Sequence, residues 1–338
     1  MLDTASALGS SNQNGDLHMS TFVYVLKRLG ALILTFAVIM TVSFILIRLL
    51  QPETGLGEAA KIEAARREAL GYNKPILVQL GIYVKNIVTK WDWGSSWKID
   101  YMEDVGAIIA ERLPPTIIIN VWSILFSVPV GVAIGIYAAV KKNKWQDHLL
   151  STLIMVFVSV PSFVYAFLVQ YFMGFRTGWF PVIMSSLYDA GGSWLSYKML
   201  LSMVLPVLSL SFGTIAGLAR FTRAELTEAL TSDYMLLART KGLTRAQATV
   251  RHALKNAMVP ILPSILSMFI GILGGSFIIE KIFAVNGIGG LMLSAINLLD
   301  YDVFIATTAF YTIIGLVGSI VIDLSYGFLD PRVRMGER

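Results

Sequence analysis

The stretch TIIINVWSILFSVPVGVAIGIYAAV, residues 116–140, decides the fold class of this chain. It contains no Asp, Glu, Lys or Arg, and it is longer than the roughly 20 residues with which an α-helix crosses a bilayer. Inside lipid, backbone N–H and C=O groups need hydrogen-bond partners within their own segment, and a helix provides them. The stretch is therefore predicted to be a transmembrane helix.

Five further stretches have the same character, so the sequence predicts six transmembrane helices. The other five are 29–47, 149–173, 199–219, 257–279 and 303–322. The composition agrees, because 55% of the residues are hydrophobic and 14% are charged, whereas soluble domains carry about 25% charged residues. The predicted fold class is all-α, a polytopic membrane protein. Four prolines, Pro129, Pro161, Pro206 and Pro263, lie inside predicted spans. Neighbouring helices can tolerate the kinks they cause, but uniformly straight helices are not expected.

The segments between the spans divide the chain into regions. The polar residues 1–18 are predicted to be a disordered leader, and residues 19–50 combine an interfacial helix with the first span. An extracytoplasmic loop domain is predicted at 51–115, the membrane core at 116–325 and a tail at 326–338.

Basic residues determine the predicted orientation. Lys and Arg cluster before the first span, in the loops that follow the second and fourth spans, and in the tail. Cytoplasmic segments of membrane proteins carry such an excess. Both termini and these two loops are therefore predicted to face the cytoplasm.

The spans disfavour several classes of function. Proton- and ion-coupled carriers, like intramembrane enzymes, need ionisable side chains within the membrane, and the six stretches have none. The chain has no cysteine and no P-loop sequence of the form G-x-x-x-x-G-K-[S/T]. A transporter of this composition is expected to draw its energy from a partner protein. A secondary transporter or channel independent of ATP is the alternative from a different class.

The loop after the fourth span carries a helix–stop–helix pattern. Residues 231–247 read TSDYMLLARTKGLTRAQ. Ser232 or Asp233 is a suitable N-cap and Gly242 a suitable residue just past the helix end. Thr244 and Gln247 have the spacing of a capping box that opens a second helix. A short helix is thus predicted to project from the membrane.

Four apolar residues of this helix have no span to bury them. They are Tyr234, Leu236, Leu237 and Ala238. Exposed apolar residues with basic neighbours fit a groove on a partner protein. Packing on the chain's own bundle or on lipid headgroups explains them equally well by spacing alone, so both interpretations stay open at this point.

Several sequence motifs resemble a known family. Residues 233–243 (DYMLLARTKGL) and 251–260 (RHALKNAMVP) are similar to the permease signature of ATP-binding-cassette (ABC) importers, closest to the oligopeptide and dipeptide permease B subunits. Further matches are 178–181 (GWFP), 280–289 (EKIFAVNGIG), Asp300-Tyr301 and 323–334 (DLSYGFLDPRVR). The resemblance extends from about residue 22 to residue 334.

The chain departs from the family pattern at four places. The Glu of the usual Glu-Ala-Ala is missing before Gly242, and Asn286 stands where Pro is usual. Residues 51–53 (QPE) replace Gly-Asp-Pro, and residues 91–94 (WDWG) replace Gly-Asp-x-Gly. The missing Glu is common in the peptide branch. The other three departures affect the predicted outer face, where substrate arrives, and do not weaken the resemblance of the cytoplasmic loop.

The resemblance implies a type I ABC importer transmembrane domain in a bacterial cell membrane, with peptides as cargo. Its implied partners, besides lipid, are a second homologous permease, two ATPase subunits and an extracytoplasmic substrate-binding protein. ATP and Mg²⁺ would bind to the ATPases and no cofactor to this chain, which would not be an enzyme. The branch includes nickel and glutathione importers, which are the alternative cargoes.

The resemblance makes residues 232–242 a coupling helix that binds an ATPase groove. The residues it assigns to coupling are Asp233, Tyr234, Leu237, Ala238, Arg239, Lys241, Gly242, Arg245 and His252. Tyr234 and Ala238 are expected to pack against the ATPase and His252 to brace the following helix. Arg239 and Lys241 are expected to pair with acidic groove residues, although positive-inside topology alone also explains basic side chains there.

Polar residues inside the predicted spans are candidates for the translocation path. They are Asn120, Ser123, Ser127, Ser159, Gln170, Ser209 and Ser211. Each either lines the path or makes a hydrogen bond between helices, and the second use is common in membranes.

Overall fold

The computed structural model describes the backbone at residues 4–50, 65, 68, 74–271 and 277–329, and the side chains at 27–50, 65, 68, 74–269 and 277–323. Across those ranges the regular structure is helical, with one isolated bridge between Ser95 and Asp104. The chain forms two compact units, residues 93–307 and residues 1–92 with 308–338. This confirms the predicted all-α fold class.

Among the described residues of the terminal unit are the helices α1 (Thr4–Leu49) and α2 (Ile76–Lys90). The unit also contains the part of α12 (Tyr301–Leu329) beyond Thr307. An ion pair of 2.7 Å between Arg28 and Asp323 joins the first and last helices. Much of the predicted loop domain before residue 74 lies outside the described residues.

The N-terminal helix differs from the sequence prediction. Helix α1 begins at Thr4 and runs without a break to Leu49, so residues 4–18 are helical and no separate interfacial helix precedes the span. The physical reason is that extending an existing helix avoids the cost of nucleating a new one. At the other end, α12 continues to Leu329, past the predicted start of the tail at residue 326.

The central unit is built from nine helices within the described residues. In chain order they are α3 (Val105–Val140), α4 (Trp145–Ser159), α5 (Ser162–Val169), α6 (Tyr197–Leu230), α7 (Asp233–Thr240), α8 (Arg245–Ala248), α9 (Leu254–Gly271), α10 (Phe277–Ile282) and α11 (Ile288–Leu298). Two π-helical segments, Gln170–Arg176 and Thr249–Ala253, follow α5 and α8.

Four helices of the described chain are long and apolar enough to cross a membrane. They contain the predicted spans at 29–47, 116–140, 199–219 and 303–322. The predicted span at 149–173 is two helical segments bent by 99°, because Val160 and Pro161 adopt extended backbone there. The predicted span at 257–279 passes through residues 272–276, which lie outside the description.

Helix α3 begins earlier than the sequence predicted. The side chain of Asp104 accepts a hydrogen bond of 3.0 Å from the Ala107 N–H and caps the helix at Val105. Pro114 and Pro115 therefore lie inside α3 and do not end the outer loop, which stops at residue 104 rather than at 115.

Two buried carboxylates organise the loops near the start of α3. One oxygen of Asp300 accepts hydrogen bonds from the Ser96 hydroxyl at 2.6 Å and from the backbone N–H groups of residues 97–99. Glu280 accepts from the Thr116 hydroxyl at 2.8 Å and from the Gly290 N–H at 3.0 Å. Both side chains are fully buried, so these family motifs fix loop structure.

A stripe of small residues brings α3 against α6. Every fourth residue of α3 from position 123 is small and buried: Ser123, Ser127, Gly131, Gly135 and Ala139. A Cβ atom at Gly135 would lie 2.7 Å from the Ala219 carbonyl oxygen and 2.5 Å from the Thr222 Cβ. Small residues permit such close approach of helices, which in lipid are held by van der Waals contact and hydrogen bonds.

Replacing Gly135 by Ala is expected to force α3 and α6 apart. Overpacking of this kind costs about 1–3 kcal/mol, so Gly135→Ala lowers the thermal midpoint of the purified chain, measured by tryptophan fluorescence in detergent. The control is Gly213→Ala on α6, where a Cβ meets nothing within 4 Å. The control keeps or raises the midpoint, because Ala is the better helix former. Equal midpoints for the two variants would contradict the close packing.

Candidate functional site

The projecting helix α7 is delimited by two specific turns. Ser232 is the N-cap residue, although its hydroxyl donates to the Ala229 carbonyl at 2.6 Å and caps no N–H group. At the other end Gly242 has φ +90° and donates to the Arg239 carbonyl at 3.0 Å, while the Leu243 N–H bonds the Ala238 carbonyl at 3.3 Å. This Schellman-type turn confirms Gly242 as the stop residue.

The predicted capping box is also present. Thr244 accepts from the Gln247 N–H at 3.3 Å, and the Gln247 side chain accepts from the Thr244 N–H at 3.1 Å. The one-turn helix α8 then passes into the π-helical segment Thr249–Ala253. Hydrogen bonds between close neighbours thus define both the end of α7 and the start of α8.

The inner side of α7 rests on a floor made mostly of alanine. We call this floor the alanine floor; it consists of Ala139, Leu226, Ala229, Ala248, Ala253 and Ala257. Met235 and Ala238, three residues apart on one helical face, pack into it and are almost fully buried. The floor draws on α3, α6, α8, the π-helical segment and α9, so α7 is attached to several helices at once.

The π-helical segment keeps the floor in register. Ala248, Ala253 and Ala257 are spaced by five and then by four residues, and all three are buried. A π-turn advances one residue further than an α-turn before returning to the same face. The extra residue therefore lets three alanines that do not share an α-helical spacing face the same floor.

The outer side of α7 is apolar and exposed. Tyr234, Leu236 and Leu237 are 37%, 65% and 56% exposed. The basic predicted coupling residues Arg239, Lys241 and Arg245 are exposed as well. The helix thus has one side committed to its own chain and one side left open.

Two of the predicted coupling residues have surroundings that the sequence did not reveal. Ala238 is 6% exposed and packs into the alanine floor, so its side chain lies on the inner face of α7. An eight-residue helix is too short for the periodicity of its apolar residues to identify that face. His252 is exposed and makes no hydrogen bond or ion pair among the described residues.

An ion pair beside the floor attaches α4 to α6. The Arg223 guanidinium donates to both carboxylate oxygens of Asp147, from Nε at 2.6 Å and from Nη2 at 2.8 Å. Asp147 also accepts from the Asn143 N–H at 3.0 Å and from the Ser151 hydroxyl at 3.3 Å. Its side chain is 2% exposed. Such bidentate, charge-assisted contacts fix geometry as well as adding energy.

The predicted path residues are mainly packing residues in this chain. Ser123 and Ser211 are within 3.1 Å of each other between α3 and α6, and both are buried. Ser127 and Ser209 are fully buried and donate to carbonyl groups of their own helices. Close helix packing thus encloses all four serine side chains in this structure.

The other three path candidates are at least partly accessible. Gln170 donates to the Val182 and Ile282 carbonyls at 3.0 and 2.9 Å, so it ties two loops together. Asn120 donates to the Thr116 carbonyl of its own helix at 2.8 Å. Ser159 is exposed beside the break at Pro161.

Sequence reasoning missed the residues that hold the site in place. Met235 carried a signal, because its spacing of three from Ala238 places both on one face. Asp147 and Arg223 carried none, since they are 76 positions apart and each looks like an ordinary charge at a span end. The stripe at Gly131 and Gly135 was visible as Gly-x-x-x-Gly, a known helix-packing pattern.

The geometry defines a helical, multi-pass membrane subunit that presents a short two-sided helix beyond its spans. Comparison with known proteins identifies the family. The family model described as "Binding-protein-dependent transport system inner membrane component" matches residues 131–335. The chain belongs to this family of ABC importer permeases, in the branch of the peptide permease B subunits, as its motifs implied.

Three curated relatives illustrate the similarity. The dipeptide transport system permease protein DppB of Bacillus subtilis (strain 168) is 33% identical, over 93% of this chain and 99% of the relative. DppB of Lactococcus lactis subsp. cremoris is 35% identical over 92% and 99%. The glutathione transport system permease protein GsiC of Salmonella typhimurium is 32% identical over 92% and 98%.

Removing one partner of the Asp147–Arg223 pair is expected to destabilise the chain. Arg223→Met leaves a buried carboxylate without its cation, which costs about 3 kcal/mol at the lower end of measured cases. The double variant Asp147→Asn/Arg223→Met should recover much of this loss, because no buried charge remains. Thermal unfolding of the purified variants measures both effects.

The control for this prediction is Arg220→Met, since Arg220 lies one turn earlier on α6 and is exposed. Its unfolding midpoint should stay close to that of the wild type. A loss for Arg220→Met as large as that for Arg223→Met would mean that overall positive charge, rather than the pair, stabilises this region.

Proposed function

We propose that this chain is one of two permease subunits of a peptide importer and moves oligopeptides or dipeptides into the cell. Two partner ATPases bind ATP and Mg²⁺ and supply the energy, while this chain carries out no chemical step. Two observations support this proposal: the relatives named as dipeptide permeases match nearly the whole chain, and the sequence lacks a P-loop.

The two-sided helix α7 is the observation that carries the proposal. Its inner residues Met235 and Ala238 are buried in the alanine floor, and its outer residues Leu236 and Leu237 are more than half exposed. A helix that presents apolar residues to a groove is a common mode of protein recognition. We assign α7 as the coupling helix that inserts into an ATPase groove.

Charge supports the same assignment. Asp233 lies in the first turn of α7, and Arg239 lies in the last turn, followed by Lys241. Basic side chains at the rim of an apolar contact steer an acidic partner and fix its register more than they add affinity. The groove on each ATPase is therefore expected to be apolar at its centre and acidic at one end.

The mechanism follows from the attachment of α7 to several helices. When ATP draws the ATPases together, α7 moves with its groove, and the alanine floor transmits that movement to α3, α6 and α9. This movement opens the path to one side of the membrane and then to the other only if the contacts made in the two conformations differ in free energy. The contact between α7 and its groove supplies that difference.

The orientation follows from the excess of basic residues. Both termini and the α7 loop face the cytoplasm of a bacterial cell, since positive charge accumulates on that side. The loop domain between the first two spans then faces outward, where a substrate-binding protein delivers the cargo.

Glutathione is a second candidate cargo, because relatives named as glutathione permeases match the chain almost as well. Reconstituted uptake of a labelled dipeptide, competed with unlabelled dipeptides, glutathione or Ni²⁺, separates the candidates. Competition by dipeptides alone supports the proposal, and competition by glutathione or Ni²⁺ alone assigns the other cargo.

Purification of this chain from native membranes in mild detergent tests the assembly. Two proteins with P-loop motifs and a second permease are expected to co-purify, as identified by mass spectrometry. Recovery of the chain alone, with transport intact in liposomes without ATP, would instead mean a self-sufficient carrier or channel.

Leu237→Asp is expected to abolish retention of the ATPases without unfolding the chain, since Leu237 lies on the outer side of α7. Met235→Asp should unfold the loop as well, because a carboxylate placed in the alanine floor has no partner. Co-purification and the unfolding midpoint, measured together, separate the two effects.

The matched control is Val88→Asp on α2, which charges a side chain that is 78% exposed on the predicted outer loop. This variant should keep its ATPases. Full retention by Leu237→Asp would exclude α7 as the coupling helix.

A further inference from the structure

The loop between α3 and α4 forms a strongly basic turn. Residues 141–144 read KKNK, and we call them the basic turn. Two of its lysines are exposed and the first is half-buried. Within the described residues none of the three makes an ion pair. Asp147, the acidic residue that follows, is already bonded to Arg223. The turn therefore presents three positive charges that nothing in the described chain neutralises.

The basic turn is held in one conformation. Asn143 has φ +63°, and its N–H donates to the buried Asp147 carboxylate at 3.0 Å. The Lys142 N–H bonds the Ala139 carbonyl at 3.2 Å, and the Lys144 N–H bonds the Lys141 carbonyl at 3.0 Å. Because the backbone of the turn is already fixed, only the lysine side chains need to be ordered on binding, which favours binding.

An apolar stripe on α4 begins where the basic turn ends. We define the apolar stripe as Trp145, Leu149, Leu153 and Val156, which share one helical face. They are 69%, 50%, 44% and 52% exposed. The apolar stripe lies on α4, the first helix of a bent pair that is apolar enough to cross or enter the membrane. An exposed apolar stripe at that place faces acyl chains. Tryptophan is enriched at the boundary between acyl chains and headgroups, and Trp145 lies at that end of the stripe.

We propose that the basic turn and the apolar stripe together bind one anionic phospholipid. The lysines hold the phosphate and its negatively charged headgroup, and one acyl chain lies along the stripe. Clusters of Lys and Arg next to a membrane segment attract anionic lipids, and the stripe gives the acyl chain a defined course. A soluble protein partner accounts for the lysines but not for a stripe that continues down a membrane helix.

The test is lipid binding by the purified, detergent-solubilised chain, measured by native mass spectrometry. Phosphatidylglycerol and phosphatidylcholine with identical acyl chains are titrated in parallel. The wild type should bind phosphatidylglycerol more tightly. Replacing the three lysines by Gln should weaken that binding by roughly fivefold per lysine and leave phosphatidylcholine unchanged, whereas replacing them by Arg should retain it.

A matched control removes the same charge elsewhere. The variant Lys74→Gln/Lys85→Gln/Lys90→Gln changes three lysines on and before α2, all exposed, and should bind phosphatidylglycerol as the wild type does. If the triple Gln variant of the basic turn fails to fold, as judged by its helical circular dichroism, the double variant Lys142→Gln/Lys144→Gln replaces it.

Three results would overturn the proposal. They are equal binding of the two lipids by the wild type, an equal loss in the control variant, and unchanged phosphatidylglycerol binding after the lysines are removed. If the Gln variant kept its lipid but lost its ATPases on co-purification, the basic turn would be a protein contact instead. The lipid assay contains neither ATPase nor cargo, so a failure of the proposed import function would leave this result standing.

Discussion

The close contact of α3 and α6 is the constraint on which the central unit depends. Helices surrounded by lipid gain little from the hydrophobic effect when they meet, so they need short approach distances and interhelical hydrogen bonds. Gly131 and Gly135 permit the approach, and the Ser123–Ser211 contact adds a polar link where both hydroxyls are buried. The same stripe ends at Ala139, which belongs to the alanine floor. The packing of the spans and the site at α7 are therefore parts of one continuous contact.

That continuity also holds a small helix in place. Helix α7 has eight residues and would be unstable alone, because short isolated helices are marginal in water. Two buried side chains attach it to the alanine floor, and the Asp147–Arg223 pair adds α4 to the same block. The exposed side of α7 is thus backed by a packed block to which several helices contribute.

The sequence predicted local features well and tertiary features poorly, for a physical reason. Gly242 and the Thr244–Gln247 capping box depend on hydrogen bonds between close neighbours, and both were predicted correctly. The inner face of α7 depends on residues contributed by other helices, so the sequence did not reveal that Ala238 belongs to it. The buried serines were ambiguous, since a hydroxyl in a span suits a path or a packing contact equally, and only the approach of α3 to α6 decides between them.

One departure from the family pattern also gains a structural explanation. Asn286 stands where the family usually has Pro. In the structure the Arg112 guanidinium donates to the Asn286 side chain and forms a 3.3 Å ion pair with Asp100. Arg112 thus bridges two loops by hydrogen bonds. This bridge restrains position 286, which lacks the fixed φ angle that a proline would have.

The rigid attachment of α7 is the central claim, and a distance measurement tests it most directly. The chain has no cysteine, so Thr240→Cys on α7 and Arg220→Cys on α6 can be spin-labelled without background on the purified chain, before its partners are added. Double electron–electron resonance on the assembled transporter, with and without ATP, then reports the distance between the labels. The predicted result is a single distance that stays the same while ATP is hydrolysed. A second distance that appears with ATP would show that α7 moves independently of α6 and would contradict the claim.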